Sequence, residues 1–288
     1  MSVIRTLLKS LIDYAGLFPP AGLDMEAAVR NYAAYRKGEH AWALGKFVLP
    51  VARLAEFESK AAPLLRASDP WPLSVLGGSD PVSDLKSIAA FRGRRQDARI
   101  DSMEVKAATV EEVQRIARVA ADIPTFFEIP IADDPRFLLD TIREEKGFAK
   151  IRTGGTKPGA VPSPEEVARF LDLAHARVAF KATAGLHHAL RSVRPLTYEA
   201  GCESDLMHGF LNVLVASVGA PLEMYRYLPS ILEERDIRGF TFGDASLAWH
   251  GHELTFEQAS KARQGFFLSF GSCSFEEPIT ELKALKLL

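Results

Sequence analysis

The sequence predicts an α/β protein, a (β/α)8 barrel of the TIM type with an extra N-terminal helix and a long insertion after its sixth strand. Three observations carry this expectation. Short apolar runs alternate with helix-period segments from Asp24 onward, the rhythm of parallel strands joined by crossover helices. The chain has 288 residues, within the usual length of such a barrel. Charged residues recur toward the ends of several apolar runs, which is where a barrel carries its active face. A doubly wound open sheet has the same alternation and is the competing architecture.

Val3, Ile4, Leu7, Leu8, Leu11 and Ile12 repeat at helical spacing and predict an opening amphipathic helix. The segment from Asp13 to Pro20 follows, and Pro19-Pro20 stiffens the connection. Asp13 and Tyr14 read as polar groups packed beside this turn, or as part of a segment covering one end of a barrel. A helix from about Asp24 to Arg36 precedes the first expected strand, Phe47 to Leu49. Leu73 to Leu76 is the second strand, Asp101 to Lys106 the third and Thr125 to Ile129 the fourth. Thr109 with Glu112 forms a capping box that starts the helix between the last two.

Phe148 to Arg152 is the fifth strand. Ser163, Pro164 and Glu166 begin the next helix. Val178 to Thr183 is the sixth strand and runs into Gly185. From Gly185 to Asp205 no period is evident, and long segments of that kind are usually functional or a sign of misassignment. Helices follow at about Leu206–Val218 and Pro221–Glu234. Phe240 to Phe242 is the expected seventh strand, with a helix from Thr255. Gly265 to Phe270 is the eighth, with Ser274 and Glu277 capping a last helix. No low-complexity stretch or linker divides the chain, so residues 1–288 read as one domain.

Apolar residues make up 47% of the chain and charged residues 25%, an ordinary composition for a globular protein. A net charge of -2 gives no general attraction for nucleic acid. Two cysteines, Cys202 and Cys273, argue against a disulfide framework and for a reducing compartment. No run reaches the ~20 apolar residues of a membrane span, and Arg5, Lys9 and Asp13 interrupt any signal-peptide core. The expectation is a cytoplasmic protein without membrane or nucleic-acid partners. The sequence leaves a homo-oligomer open.

Strand alternation then groups the polar residues. Glu104 and Lys106 share a face of the third strand, Lys150 and Arg152 of the fifth, and Lys181 and Thr183 of the sixth. Glu128 lies near the end of the fourth. The outer face of each strand must meet apolar helix surface, so these side chains are expected to point into the barrel. Four cations and two carboxylates there suit a small anionic, oxygen-rich molecule. An ion network that merely plugs the barrel would look the same. Gly154-Gly155 and Gly271-Ser272 could bring backbone amides to an anion, the second pair near a helix start. His187 and His188 follow the sixth strand and are candidates for acid–base work or anion contact.

The run Phe180-Lys181-Ala182-Thr183-Ala184-Gly185 resembles the strand-six segment of deoxyribose-phosphate aldolase and related class I aldolases. A Lys-x-Ser/Thr-x-Gly run there carries the lysine that forms a Schiff base with a carbonyl substrate. The resemblance implies a lyase in which Lys181 is the imine-forming amine, with no cofactor. It covers six residues. The family's second lysine on strand seven has no counterpart at Phe240-Thr241-Phe242-Gly243, so Lys150 would replace it. No motif supplies the proton-relay carboxylate, and Glu104 or Glu128 takes that place. In this reading Lys150 and Arg152 depress the pKa of Lys181, while Arg152, Lys106, Thr183, His187, His188, Gly154, Gly155, Gly271 and Ser272 contact the substrate.

The histidines supply the rival. His250-Gly251-His252 would put two imidazoles on one side if extended, and His187, His188, His208, Cys202 and Glu203 lie in the irregular region. Zinc accepts such ligands, which would give a metal-assisted hydrolase or isomerase. No H-E-x-x-H motif and no paired C-x-x-C spacing is present, so no metal site is assigned. A barrel that binds a small anion without chemistry is the third reading. Arg92-Gly93-Arg94-Arg95 precedes a strand and reads as solvated surface. Trp249 is either a pocket wall or packing.

Overall fold

Eight short segments pair edge to edge and close on themselves in the computed structural model, which describes residues 2–288. The barrel strands are β1 (Ile12–Tyr14), β2 (Leu44–Pro50), β3 (Trp71–Leu76), β4 (Ala98–Lys106), β5 (Thr125–Glu128), β6 (Phe148–Arg152), β7 (Phe180–Thr183) and β8 (Phe267–Ser272). All eight pairings are parallel, and β1 closes the ring between β2 and β8. Closure leaves no sheet edge unpaired within the barrel. The structure is therefore the α/β (β/α)8 barrel and not the open sheet.

Two expectations about the strands are corrected. The opening helix ends at Leu8, and Ile12–Tyr14 is a strand. Ser10 takes a left-handed backbone (φ 49°) that separates the two. Ile12 keeps the helical apolar spacing, and three residues are too few to reveal a period of two, so β1 was masked. The expected seventh strand, Phe240–Phe242, lies outside the barrel. It pairs antiparallel with Ser246–Trp249, which pairs in turn with His252–Thr255. His250 (φ 45°) and Gly251 (φ 82°) form the tight turn of that last hairpin, as two-residue turns with positive φ do. The expected sixth strand, Phe180–Thr183, is therefore the seventh of the barrel.

The long insertion lies between β7 and β8. It contains an antiparallel pair, Ser192–Pro195 with Ser204–Met207, and helices Phe210–Gly219, Leu228–Glu233 and Phe256–Gly265. Every residue of Phe210–Gly219 is buried, which explains its largely apolar sequence; its two polar side chains, Asn212 and Ser217, bond to backbone carbonyls. The Thr109–Glu112 and Ser163–Glu166 capping boxes both form. Ser274 accepts a hydrogen bond from the Glu277 amide at the last helix, Glu276–Ala284.

Outward strand residues meet the helix layer. Phe47 and Trp71 pack with Tyr32 and Phe57 as one aromatic group, and Phe180 packs with Phe170, Phe266 and Phe267. Each such side chain contributes about 1.5–3 kcal/mol through burial. The inward faces differ from the Val/Ile/Leu layers common in these barrels. They carry Asp13, Lys46, Ser74, Ser102, Glu104, Lys150, Lys181 and Ser269, and polar groups kept from water must bond to one another. Among the described residues, no helix is long and apolar enough to cross a membrane.

Candidate active site

Glu104 sits at the centre of these inward groups, held by the alternation that sends Met103 and Val105 out to the helices. Its Oε1 accepts from Lys181 Nζ (2.5 Å) and Ser74 Oγ (2.6 Å), and its Oε2 from Lys150 Nζ (2.8 Å). Lys181 Nζ also donates to Asp13 Oδ2 (2.7 Å), and Lys150 Nζ contacts Glu128 Oε2 (2.8 Å). Arg152 stands 3.6 Å from Glu128 Oε1 and is half exposed. Charges of opposite sign thus alternate across the barrel: Asp13, Lys181, Glu104, Lys150, Glu128, Arg152.

Serines and one backbone amide complete the network. Asp13 accepts from Ser269 Oγ (2.8 Å) and from the Lys46 amide (2.7 Å). Ser74 spends its one hydroxyl hydrogen on Glu104. It therefore accepts from Ser102 (2.9 Å), which accepts from Lys46 Nζ (3.0 Å).

Electrostatics follow from these contacts. Burial alone would raise the pKa of Glu104, but Lys150 and Lys181 overcome it and hold the carboxyl well below the usual range. Burial likewise opposes ionisation of Glu128, and Lys150 with Arg152 lowers its pKa on balance. For Lys181, burial would lower the pKa, but Asp13 and Glu104 raise it above that of an ordinary lysine. The sequence reading set positive neighbours beside Lys181 to depress its pKa. Lys150 is indeed its register partner on β6, but the Glu104 carboxylate bonds both amines. Lys181 is an ammonium ion in this state.

The network forms the closed end of a cavity of about 620 Å³ at the C-terminal mouth of the barrel. Glu104, Lys106, Glu128, Lys150, Arg152, Lys181, Thr183, Gly155, His187, His188 and Gly271 all line it. Gly154 and Ser272 do not. Gly154 lies against Gly185, where an added Cβ would meet the Gly185 Cα at 2.9 Å. Ser272 is fully buried and bonds His187 Nδ1 (3.0 Å). Five cations, counting Lys46, against three carboxylates, counting Asp13, leave the barrel interior with two surplus positive charges. Lys106 and Arg152, the cations nearest solvent, carry them.

The sequence reading missed several groups. Asp13 was treated as packing, although a lone acid between Ile12 and Tyr14 is the mark of an inward strand position. Ala15, Phe18, Pro19 and Pro20 line the mouth after β1. Arg194 and Tyr198 come from the insertion hairpin, and Cys273 also faces the cavity. Tyr198 donates to Glu277 (2.7 Å) and ties that hairpin to the last helix.

The histidines of the rival reading lie apart. His188 bonds Glu281 (2.7 Å), and His208 is buried between Arg191 and the Pro162 carbonyl. His250 bonds Glu234 (2.6 Å) on the outer sheet, where His252 packs on Tyr227 and Trp249. Trp249 is packing, not a pocket wall. Among the described residues, no three His, Cys, Asp or Glu side chains are grouped as metal ligands would be.

Comparison with known proteins adds a likeness. No family model and no curated protein matches the chain. Among solved structures it is similar to lysine/ornithine decarboxylase complexed with cadaverine from Vibrio vulnificus. The identity is 10% and the TM-score 0.37, over 63% of this chain and 48% of that one. The chain thus spans about half the length of that protein.

Proposed function

We propose that this chain is a barrel enzyme of the lyase class that acts on a small carbonyl compound carrying one carboxylate or phosphate. The observation that carries the reading is the alternating row of Asp13, Lys181, Glu104, Lys150 and Glu128 at the closed end of the cavity. Lysine side chains that donate to carboxylates in a water-poor site are suited to stabilise negative charge developing on a carbonyl oxygen. A carboxylate beside them takes the proton from the adjacent carbon. Glu128 is the candidate for that transfer because it stands nearer the mouth than Glu104. The surplus charge at Lys106 and Arg152 favours the substrate's anionic group, and Thr183 and Gly155 flank it.

In the test, the protein is incubated in heavy water with a panel of short phosphorylated and carboxylated aldehydes and ketones. Deuterium should enter the carbon next to the carbonyl of at least one compound. Lys181→Met and Glu128→Gln should each slow that exchange at least tenfold. No exchange with any member would remove this reading.

One observation favours a second reading, imine formation by Lys181. Two carboxylates touch its Nζ and could accept the proton that a nucleophilic amine must lose. Borohydride added with the same panel would then fix a carbonyl fragment on Lys181, located by peptide mass analysis. In the ammonium reading it fixes none.

A further inference from the structure

We propose that Glu277 receives an ammonium group, so that the compound this cavity takes carries a primary amine at the end away from its carboxylate or phosphate. This deepens the proposed function and rests on it for the anion at Lys106 and Arg152. The amine subsite rests on geometry of its own.

Charge divides the mouth of the cavity. Lys106 and Arg152 close β4 and β6. In the ring of eight strands β8 lies four places from β4, so the segment after β8 stands across the mouth from Lys106. That segment carries Glu277, and the hairpin tied to it brings the exposed Glu199; both line the cavity. Arg194, the arginine on this side, is already held 3.1 Å from Glu281. Among the described residues, neither Glu277 nor Glu199 forms an ion pair with a lysine or arginine. The first turn of a helix favours negative charge, which accounts for an acid at Glu277 with no cation beside it.

Only one oxygen of Glu277 is used. Oε1 accepts from Tyr198 (2.7 Å), the contact that holds the hairpin down. Oε2 lies 3.8 Å from His187 Nδ1, whose hydrogen goes elsewhere. Ser272 Oγ is 2.6 Å from the Ser274 carbonyl oxygen, and a carbonyl only accepts, so the serine hydrogen is spent there. His187 Nδ1, 3.0 Å from the same Oγ, therefore donates to it. The ring's Nε2 is left as a bare lone pair, with the Cys273 thiol, a weak donor, 4.0 Å away. His187 is only 7% exposed, and burial pushes its pKa down to about 4, so it does not neutralise Glu277.

This wall thus presents a carboxylate oxygen and an imidazole lone pair without a strong donor for either. Acceptors left unpaired in a shielded site are costly. An ammonium group brings three donors and the positive charge that Glu277 lacks. A hydroxyl would bring one donor and no charge. A metal ion does not suit the set, since among the described residues no three His, Cys, Asp or Glu side chains are grouped to hold one.

The test uses the whole protein and probes without a carbonyl, so that it does not depend on turnover. Calorimetry at pH 7 compares 4-aminobutanoate, 5-aminopentanoate and 6-aminohexanoate with butanoate, pentanoate and hexanoate. At least one amino acid should bind at least tenfold more tightly than its counterpart without the amine, as a hydrogen-bonded charge pair would give. The surplus positive charge of the interior favours the plain acids, so a preference for the amine requires a local acceptor. Glu277→Gln keeps an oxygen for Tyr198 but loses the charge, and should erase the preference. If Glu277 only latches the hairpin, this variant will keep the preference and the proposal fails. Glu276→Gln, one residue earlier and outside the cavity, should keep it; equal losses in the two variants would show a diffuse acidic field and overturn the site. Equal affinities in every pair, or no binding by any amino acid, would overturn the proposal in the native protein whether or not the variants fold. Deuterium exchange into the carbonyl panel beside equal affinities would leave the proposed function standing. An amine preference without exchange would keep the amine subsite and remove the carbonyl reading.

Discussion

Asp13 and Lys181 lie 168 residues apart in the chain and meet at 2.7 Å where β1 closes the barrel. The pair joins the first strand to the seventh through the interior, and each side chain is only 2% exposed. Asp13→Asn would leave Lys181 with Glu104 as its one remaining charged partner. Breaking a buried pair from one side costs about 3–5 kcal/mol. Urea unfolding should show a loss of that size, against less than about 1 kcal/mol for Asp97→Asn at the shallower Arg95–Asp97 pair. Equal losses would mean that the barrel interior is well hydrated.

Stability should decline on acidification in two stages. His187 and His208 are pushed down to about 4 by burial, against about 6.5 in an unfolded chain. A depressed pKa means that the unfolded state takes up protons first, so stability is full above pH 6.5 and is lost as pH falls toward 4. Each histidine is worth about 3 kcal/mol across that window. Glu104 and Glu128, also depressed, have the same sign and add a second decline from about pH 4.5 downward. The raised Lys181 has the opposite sign, its contribution being complete below about pH 10 and lost above. A His187→Gln, His208→Gln double variant should lose the first stage and keep the second, as denaturation midpoints measured from pH 8 to 3 would show.

Inorganic phosphate should raise the melting temperature through the mouth of the cavity, since a ligand that binds the folded state stabilises it. Arg152→Ala should remove most of the rise. Arg94→Ala should leave it intact, because Arg94 pairs with Glu58 ahead of β4 at the other end of the barrel. The same loss in both variants would show diffuse surface binding.

Gly185→Ala should disturb both fold and site. Gly185 takes φ +77°, and an added Cβ would stand 2.9 Å from the Gly154 Cα and the Thr153 carbonyl oxygen. Conformation and contact are both refused to a side chain. We expect a loss of about 2 kcal/mol and a displaced His187, seen as a shifted imidazole resonance. Gly159, also at positive φ but with nothing within 4 Å, should cost about 1 kcal/mol when replaced by Ala.

The region from β2 to β7 was legible because each strand there is bounded by turn or capping residues and followed by a helical period. Lys150, Arg152, Lys181 and Glu104 could be placed on inward faces for the same reason, since alternation is a local property. Local pattern could not say which charges touch. Lys150 and Lys181 looked like mutually repelling neighbours, and the Glu104 carboxylate that reaches both comes from β4, on the far side of the interior from β7.

By itself, then, the sequence determined the alternation of strands and helices and the faces on which the charged residues stand. Tertiary structure alone decided where the barrel closes. Ile12–Tyr14 is too short to show its own period, and it becomes a strand only because β2 and β8 offer it two open edges. Phe240–Phe242 has a better strand composition, yet it pairs with its local hairpin and leaves the ring. Closure also turned Asp13 from an apparent packing residue into the partner of Lys181, and set the ionisation state of that lysine. Hydrogen-bond ladders and ion pairs depend on who arrives across the gap, and a strand's own residues do not encode its neighbours.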